Sequence, residues 1–298
     1  MLLFTILCLF ITVFSCKKAE GNTVAIADNV VTNKKVVSTN AFNLSKEFND
    51  YWYAGEAEIS SYKLVQSRYG EPRNGTAVLI YVTEPFLQDK QVKADYNKPS
   101  NISVLKLNRT KNFITGIYPY SIMQSTFYPV ANNQHAIKTS CTIQEWCGHT
   151  YTQLNNRKQF EIDSHSYFEN EADTNFKLDK AILEDEIWTQ LRINPKSLPT
   201  GNIIIIPSIE FIGLKHKQLK TYMAFAEINS GSYTIKYPKI NRKLVINFNP
   251  EFPYDIVSWK ENNNGNITEA IKLKTIKSAY WNKNNNKDKE LRKTLLLE

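Results

Sequence analysis

Sulfur, carboxylate and imidazole groups recur along one short stretch of this sequence, at Cys141, Glu145, Cys147 and His149. These are zinc-ligand types. If 137–151 is one straight strand, all four share a face, because side chains alternate along a strand. The spacing opposes a compact site: on a strand Cys141 and Cys147 lie about 20 Å apart, whereas zinc gathers its ligands within about 2.0–2.3 Å of one point. Only a bend near Gln144–Glu145 would bring them together, and a Cys141–Cys147 disulfide needs the same bend. The plain reading, which we adopt, is two small core cysteines. Cys147 and His149 also offer a thiol and a base at i, i+2, but no third group or oxyanion site accompanies them. Asp163, His165 and Tyr167 alternate on another run, with Glu169, Glu171 and Asp173 following. Paired carboxylates can serve hydrolysis or hold calcium; the plain reading is a solvated acidic loop. His216, inside LKHKQLK, reads as exposed. The chain has no phosphate-binding glycine loop and no Gly-x-Ser-x-Gly elbow. No residue set calls for a cofactor or a metal, so the expectation leans away from an enzyme.

A stronger chemical signal lies at the N-terminus. Residues 1–15, MLLFTILCLFITVFS, carry no charged side chain. The apolar run Leu2 to Val13 is too short for a membrane-spanning helix, which needs about 20 residues, and fits a secretion signal. Val13, Phe14, Ser15 and Cys16 follow, then Lys17 and Lys18. This resembles the lipobox of bacterial lipoproteins, which implies cleavage before Cys16 and lipid on its thiol. Each buried CH₂ contributes about 0.8 kcal/mol, so two or three acyl chains anchor stably. Lys17 rather than aspartate after the cysteine leans toward the outer membrane, with the folded part facing the periplasm. The expected partners are the membrane through Cys16, and a lipid, a glycolipid or an envelope protein.

The elements that must carry any site come next. Apolar residues make up 42% of the chain, with 16 Tyr, 15 Phe and 10 Gly, which argues against disorder and favours strands. Net charge is +8. Export removes nucleic acid as a partner, and anionic headgroups, lipopolysaccharide or cell-wall polymers are better neighbours for a basic surface. The excess is diffuse except at Lys283 to Lys293. Past Cys16 only Cys141 and Cys147 remain, too few for a disulfide framework.

Residues 16–40 read as the lipidated cysteine and a flexible tether, 41–281 as a β-rich domain, and 282–298 as a basic polar tail. Leu44, Phe48, Tyr51 and Trp52 predict a short N-terminal helix. About a dozen strands follow, with a hairpin turn within Gly70–Gly75 and a long alternating run over 137–154 that must bend or bulge. One central helix is predicted, capped by Asn175 and ended by Pro195. Leu178, Ile182, Leu183, Ile187, Trp188 and Leu191 line one face of it, with Asp179, Glu184 and Asp185 off that face. The fold class is mainly β: a large curved antiparallel sheet or open β-barrel around that helix.

Four stretches, YWYAGEAEISSYKL (51–64), QVKAD (91–95), TGIYPYSIMQSTFYPV (115–130) and QEWCGHTYTQLNNR (144–157), resemble a family of uncharacterised Gram-negative lipoproteins. Some members of that family have carried the label septum formation inhibitor Maf. Maf proteins open with a Ser-x-Ser-Pro-Arg-Arg loop that this sequence lacks, so the label does not transfer. Residues 178–281 resemble the closing half of a periplasmic open β-barrel family, through Leu191–Arg192, Leu198–Pro199–Thr200–Gly201, Arg242–Lys243–Leu244 and Phe252–Pro253–Tyr254. That resemblance implies a barrel able to hold an apolar ligand. The leading expectation is a non-catalytic, membrane-anchored protein that binds an apolar ligand or a partner protein. Two others stand beside it: an envelope hydrolase using His149 or the Asp163–His165 region, and a structural or cell-division assembly factor.

Overall fold

The computed structural model describes residues 44–131 and 134–298. Cys16, the leader and the tether lie outside the described residues. Sixteen strands form one sheet. The first nine are β1 Ala57–Arg68, β2 Glu71–Leu87, the short β3 Val92–Lys93, β4 Ile102–Thr115, β5 Tyr118–Pro129, β6 Lys138–Glu145, β7 Gly148–Asn156, β8 Phe160–Ser166 and β9 Thr174–Leu178. The others are β10 Ile182–Leu183, β11 Gly201–Ile206, β12 Tyr222–Asn229, β13 Ser232–Tyr237, β14 Arg242–Phe248, β15 Ile256–Asn263 and β16 Asn266–Ser278. The helices are α1 Lys46–Trp52, α2 Glu184–Ile193, α3 Ile209–Leu214 and α4 Glu290–Thr294.

The spatial order runs from β10 through β11 to β16, then β1, β2, β4 and on to β9, with β3 beside β2. Every pairing is antiparallel except β10 with β11. The two edges, β9 and β10, are almost consecutive in the chain. A flat sheet of fifteen strands would set its edges about 65 Å apart. The link from Leu178 to Ile182 spans about 14 Å at most. The sheet therefore curls until its edges nearly meet, leaving a seam without ladder hydrogen bonds: an open barrel.

Inside the barrel run α2 and α3. Ile187, Trp188 and Leu191 of α2, with Ile209, Phe211 and Ile212 of α3, join the inward strand residues Leu79, Tyr81, Leu107, Ile122, Leu154, Ile205, Tyr233 and Ile246 in one core. Residues 37–298 form one compact unit, and that core lies wholly within it. α1 closes the end where the chain enters, burying Phe48 and Trp52. Where α3 crosses the wall, Gly213 allows close approach: a Cβ there would stand 2.7 Å from Ile143 Cδ1. Gly213→Ala is expected to cost about 1–3 kcal/mol by overpacking, and Ile143→Val in the same chain to return much of it. Thermal melts of the single and double variants measure both.

Several expectations need correction. The central helix begins at Glu184, not near Asn175: Asn175 sits on β9 and donates to Asp163. Ile182 and Leu183 are strand, paired with Ile205 and Ile206. The 137–154 run is a hairpin whose two-residue turn, Trp146–Cys147, joins Glu145 to Gly148. The first hairpin also turns tightly, at Tyr69–Gly70, with φ of +55° and +79°; this is the pattern of a two-residue turn suited to strand twist. β2 therefore starts at Glu71 rather than Gly75, and α3 is a helix the pattern did not announce.

Candidate functional site

Antiparallel pairing sends the connections to two ends of the barrel. At one end, here the rim, lie the turns 69–70, 116–117, 146–147 and 264–265, the loop 167–173 and the segment 207–221 that carries α3. The opposite end, the base, holds α1 and the point where β16 hands the chain to its C-terminal segment.

The lumen between them is filled, and the buried acids Glu58, Glu184 and Glu210 are each paired with a basic side chain. Glu58 on β1 receives both Arg192 nitrogens, at 2.6 and 2.7 Å, and the Tyr51 hydroxyl at 2.5 Å. The Arg192 guanidinium lies between the rings of Trp52 and Tyr81, 4.9 and 4.7 Å from their centroids. Burial alone would raise the Glu58 pKa, but Arg192 holds it below the usual carboxylate value. At the other end of α2, Glu184 accepts from both Arg242 nitrogens, at 2.5 and 2.7 Å, and from Tyr237 at 2.5 Å. Arg242 reaches on to Glu261 at 2.8 Å. A third group joins α3 to β4: Glu210 pairs with Lys111 at 2.5 Å and with Arg109 at 3.1 Å, while Arg109 lies over the Trp188 ring. The acids fall in the first turn of α2 and Arg192 in its last, the polarity the helix dipole favours. The expectation that Glu184 and Asp185 lie off the packed face is corrected: both are buried, because the wall supplies their counter-ions.

A cavity of about 20 Å³ lies between Gln66, Lys111, Glu210 and Glu261. It has room for one water, far below the several hundred Å³ of a small-molecule pocket.

Glu186 ties α2 to the loop after β5. It accepts from Ala136 N at 2.7 Å and Leu183 N at 3.2 Å, and its Oε1 lies 2.9 Å from His135 Nδ1. Burial lowers the His135 pKa, but the adjacent Glu186 charge and hydrogen bond outweigh it and the net shift is upward. This stabilisation is complete below the unfolded value of about 6.5 and is lost as pH rises through the raised folded value. Wild type should therefore lose stability across that window, and His135→Gln should flatten the profile. Urea unfolding at a series of pH values tests it.

The sequence candidates do not converge. The two-residue turn at Trp146–Cys147 reverses parity between the strands, since Gln144 faces His149 and Cys141 faces Thr152. Odd positions point inward on β6 and outward on β7. Cys141 is therefore in the core, 3% exposed, while His149 lies on the outer face with Asp163 and His165 of β8. Cys147 sits exposed at the turn, and both cysteines are free. Glu145 accepts from the Cys147 backbone N–H at 2.7 Å, so it holds the turn. A hydrogen bond between the Cys147 side chain and Glu145 pushes the thiol up, and burial pushes Cys141 well up; both shifts oppose a thiolate. His165 pairs with exposed Asp173 at 3.3 Å, and His216 with Glu171 at 2.7 Å. No group of three or more His, Cys, Asp or Glu among the described residues could hold a metal ion.

What the rim does gather is large apolar side chains at the tips of successive hairpins. Tyr69, Ile117, Trp146 and Tyr167 are 59, 83, 69 and 74% exposed, with Ile114 beside them at 60%. Hydrogen bonds and ring contacts brace their supports. The Tyr69 hydroxyl meets Tyr120 at 2.9 Å, Phe113 stacks on Tyr120 at 4.8 Å, and Arg68 donates to Tyr120 and to the Leu214 carbonyl. Gly148 lets Tyr167 and Phe168 close on the neighbouring hairpin, as a Cβ there would meet Tyr167 at 3.0 Å. Sequence reasoning counted these aromatics in bulk; only the alternation of turns between two ends places them in one arc. Among the described residues no helix is long and apolar enough to cross a membrane.

No protein-family model matches the chain, and no curated protein does. Among solved structures it is similar to a beta-barrel-like protein of the domain of unknown function DUF1849 from Brucella abortus, at 6% identity and a TM-score of 0.45, over 74% of this chain and 98% of that one.

Proposed function

We propose that this chain is a lipoprotein of the bacterial cell envelope, anchored through Cys16 at the outer membrane and facing the periplasm, and that it binds a partner protein at its rim without chemistry of its own. The observation that carries this reading is the arc of Tyr69, Ile117, Trp146 and Tyr167, exposed yet held on braced hairpins. Rigid aromatic anchors of this kind supply large contact area at low entropic cost. The carrier version of the reading needs an open lumen, and α2, α3 and their ion pairs occupy that space. The hydrolase alternative needs His149, Asp163 and His165 around a cleft, and finds them on an outer face with Cys141 on the other side of the wall. An assembly factor is the same reading with a structural partner.

Mass spectrometry of the protein purified from its native membrane tests the anchor and the closed lumen together. The expected result is acyl chains on the Cys16 peptide and no further stoichiometric lipid. A lipid retained by residues 37–298 alone at high salt would overturn the closed lumen; an unmodified Cys16 would overturn the anchor.

A further inference from the structure

Charge on this chain is concentrated in one place. Residues 271–293, from the second half of β16 into the C-terminal segment, hold eight Lys and Arg against Asp288 and Glu290, which is six of the chain's net eight positive charges. Lys283, Lys287, Lys289, Arg292 and Lys293 are all exposed. Arg292 and Lys293 make only surface pairs, with Glu298 and Glu290. Large apolar side chains are interleaved with them: Ile271 is 58% exposed, Trp281 48% and Leu296 54%.

This segment is not a loose tail. Leu295 is buried against Ile59 and Val82 on the outer face of β1 and β2, with Tyr280 and Leu297 packed alongside. The cations are therefore presented at a fixed place on the wall, at the base. The N-terminal end of the described chain is at the same place. Lys277 donates to the Tyr51 carbonyl at 2.5 Å and lies 4.0 Å over the Tyr51 ring, which docks α1 onto the end of β16.

We infer that this face, the end of β16 with the C-terminal segment, rests on an anionic phospholipid surface. Clustered lysines supply the electrostatic attraction, and Trp281 with Leu296 of the same segment enters the headgroup layer, where amphipathic rings settle. The inference deepens the membrane placement proposed above and rests on it for its setting. Acyl chains on Cys16 and this basic face are two independent membrane signals. The 27 residues between Cys16 and Leu44 can span at most about 95 Å, a length that keeps the base within reach of its anchor. The rim is then turned away from that membrane.

The test uses residues 37–298, which contain the whole core and neither leader nor Cys16, so it reads this face alone. Vesicles of phosphatidylcholine, with or without one third phosphatidylglycerol, are sedimented with the protein at low and high salt. The expected result is binding to the anionic vesicles at low salt and release at high salt. Each surface cation contributes about fivefold, so Lys283→Gln/Lys287→Gln/Lys289→Gln should weaken binding about 100-fold with an unchanged melting temperature. Brominated lipid should quench tryptophan emission in wild type and much less in Trp281→Phe. Equal binding to both vesicle types, no binding to anionic vesicles, or a triple variant that binds like wild type would each overturn the inference. Release by inorganic phosphate beyond that by chloride at equal ionic strength would also overturn it, by indicating a discrete anion site. Whether Cys16 is acylated is read separately from the native protein's mass, so failure of one claim leaves the other measurable.

Discussion

Arg192→Ala is expected to remove about 3–5 kcal/mol of stability. The cause is not the attraction it deletes but the charge it strands. Glu58 and Arg192 are each 1% exposed, and Glu58 has no solvent to turn to. Removing one partner of a buried pair leaves an uncompensated charge, here also taking the guanidinium from between Trp52 and Tyr81. Replacing both partners with neutral groups of similar size, Glu58→Gln with Arg192→Met, should recover most of the loss, because the pair's own net contribution is small. Urea unfolding of the three proteins decides it. A single variant within about 1 kcal/mol of wild type would mean that Arg192 does not hold α2 to β1.

The second large effect concerns binding. Ile117→Ser with Trp146→Ser should weaken the rim's partner at least 100-fold, since truncating a central aromatic or aliphatic anchor typically costs 2 kcal/mol or more per site. Stability should hardly change: both side chains point into solvent, and their hairpins are braced by Tyr120, Phe113 and Gly148 rather than by the tips. Titration of the purified partner against each variant, beside a melting curve, separates the two effects. A fall in affinity matched by a fall in melting temperature would assign both residues to the fold.

The sequence made the strands legible because alternation and aromatic content are local. It also revealed both the N-terminal and the central helix, since each has an apolar face. What it could not reveal depends on distant partners. Glu184 and Asp185 read as solvent-facing because an unpaired acid belongs in water. They are buried because Arg242 lies 58 residues away in sequence on β14 and because β4 supplies Arg109. Arg192 and Glu58 are separated by 134 residues. The candidate residues were placed on one face for a smaller reason. The turn Trp146–Cys147 itself contains no Gly, Pro or Asn, Gly148 alone marks its end, and a strand read through it carries the wrong parity beyond. One misplaced turn put Cys141 and His149 on the same face when the wall lies between them. The rim was invisible for the opposite reason: Tyr69, Ile117, Trp146 and Tyr167 are far apart in the chain and meet only because successive hairpins turn at the same end.

The most direct test of the central claim is a photo-crosslinking amino acid placed at position 146 in the anchored protein in living cells, with the same probe at Lys177 on the outer wall of β9. One discrete protein adduct is expected from position 146, reproduced from position 117 and not formed from position 177. No adduct from either rim position, or the same adducts from all three, would contradict it.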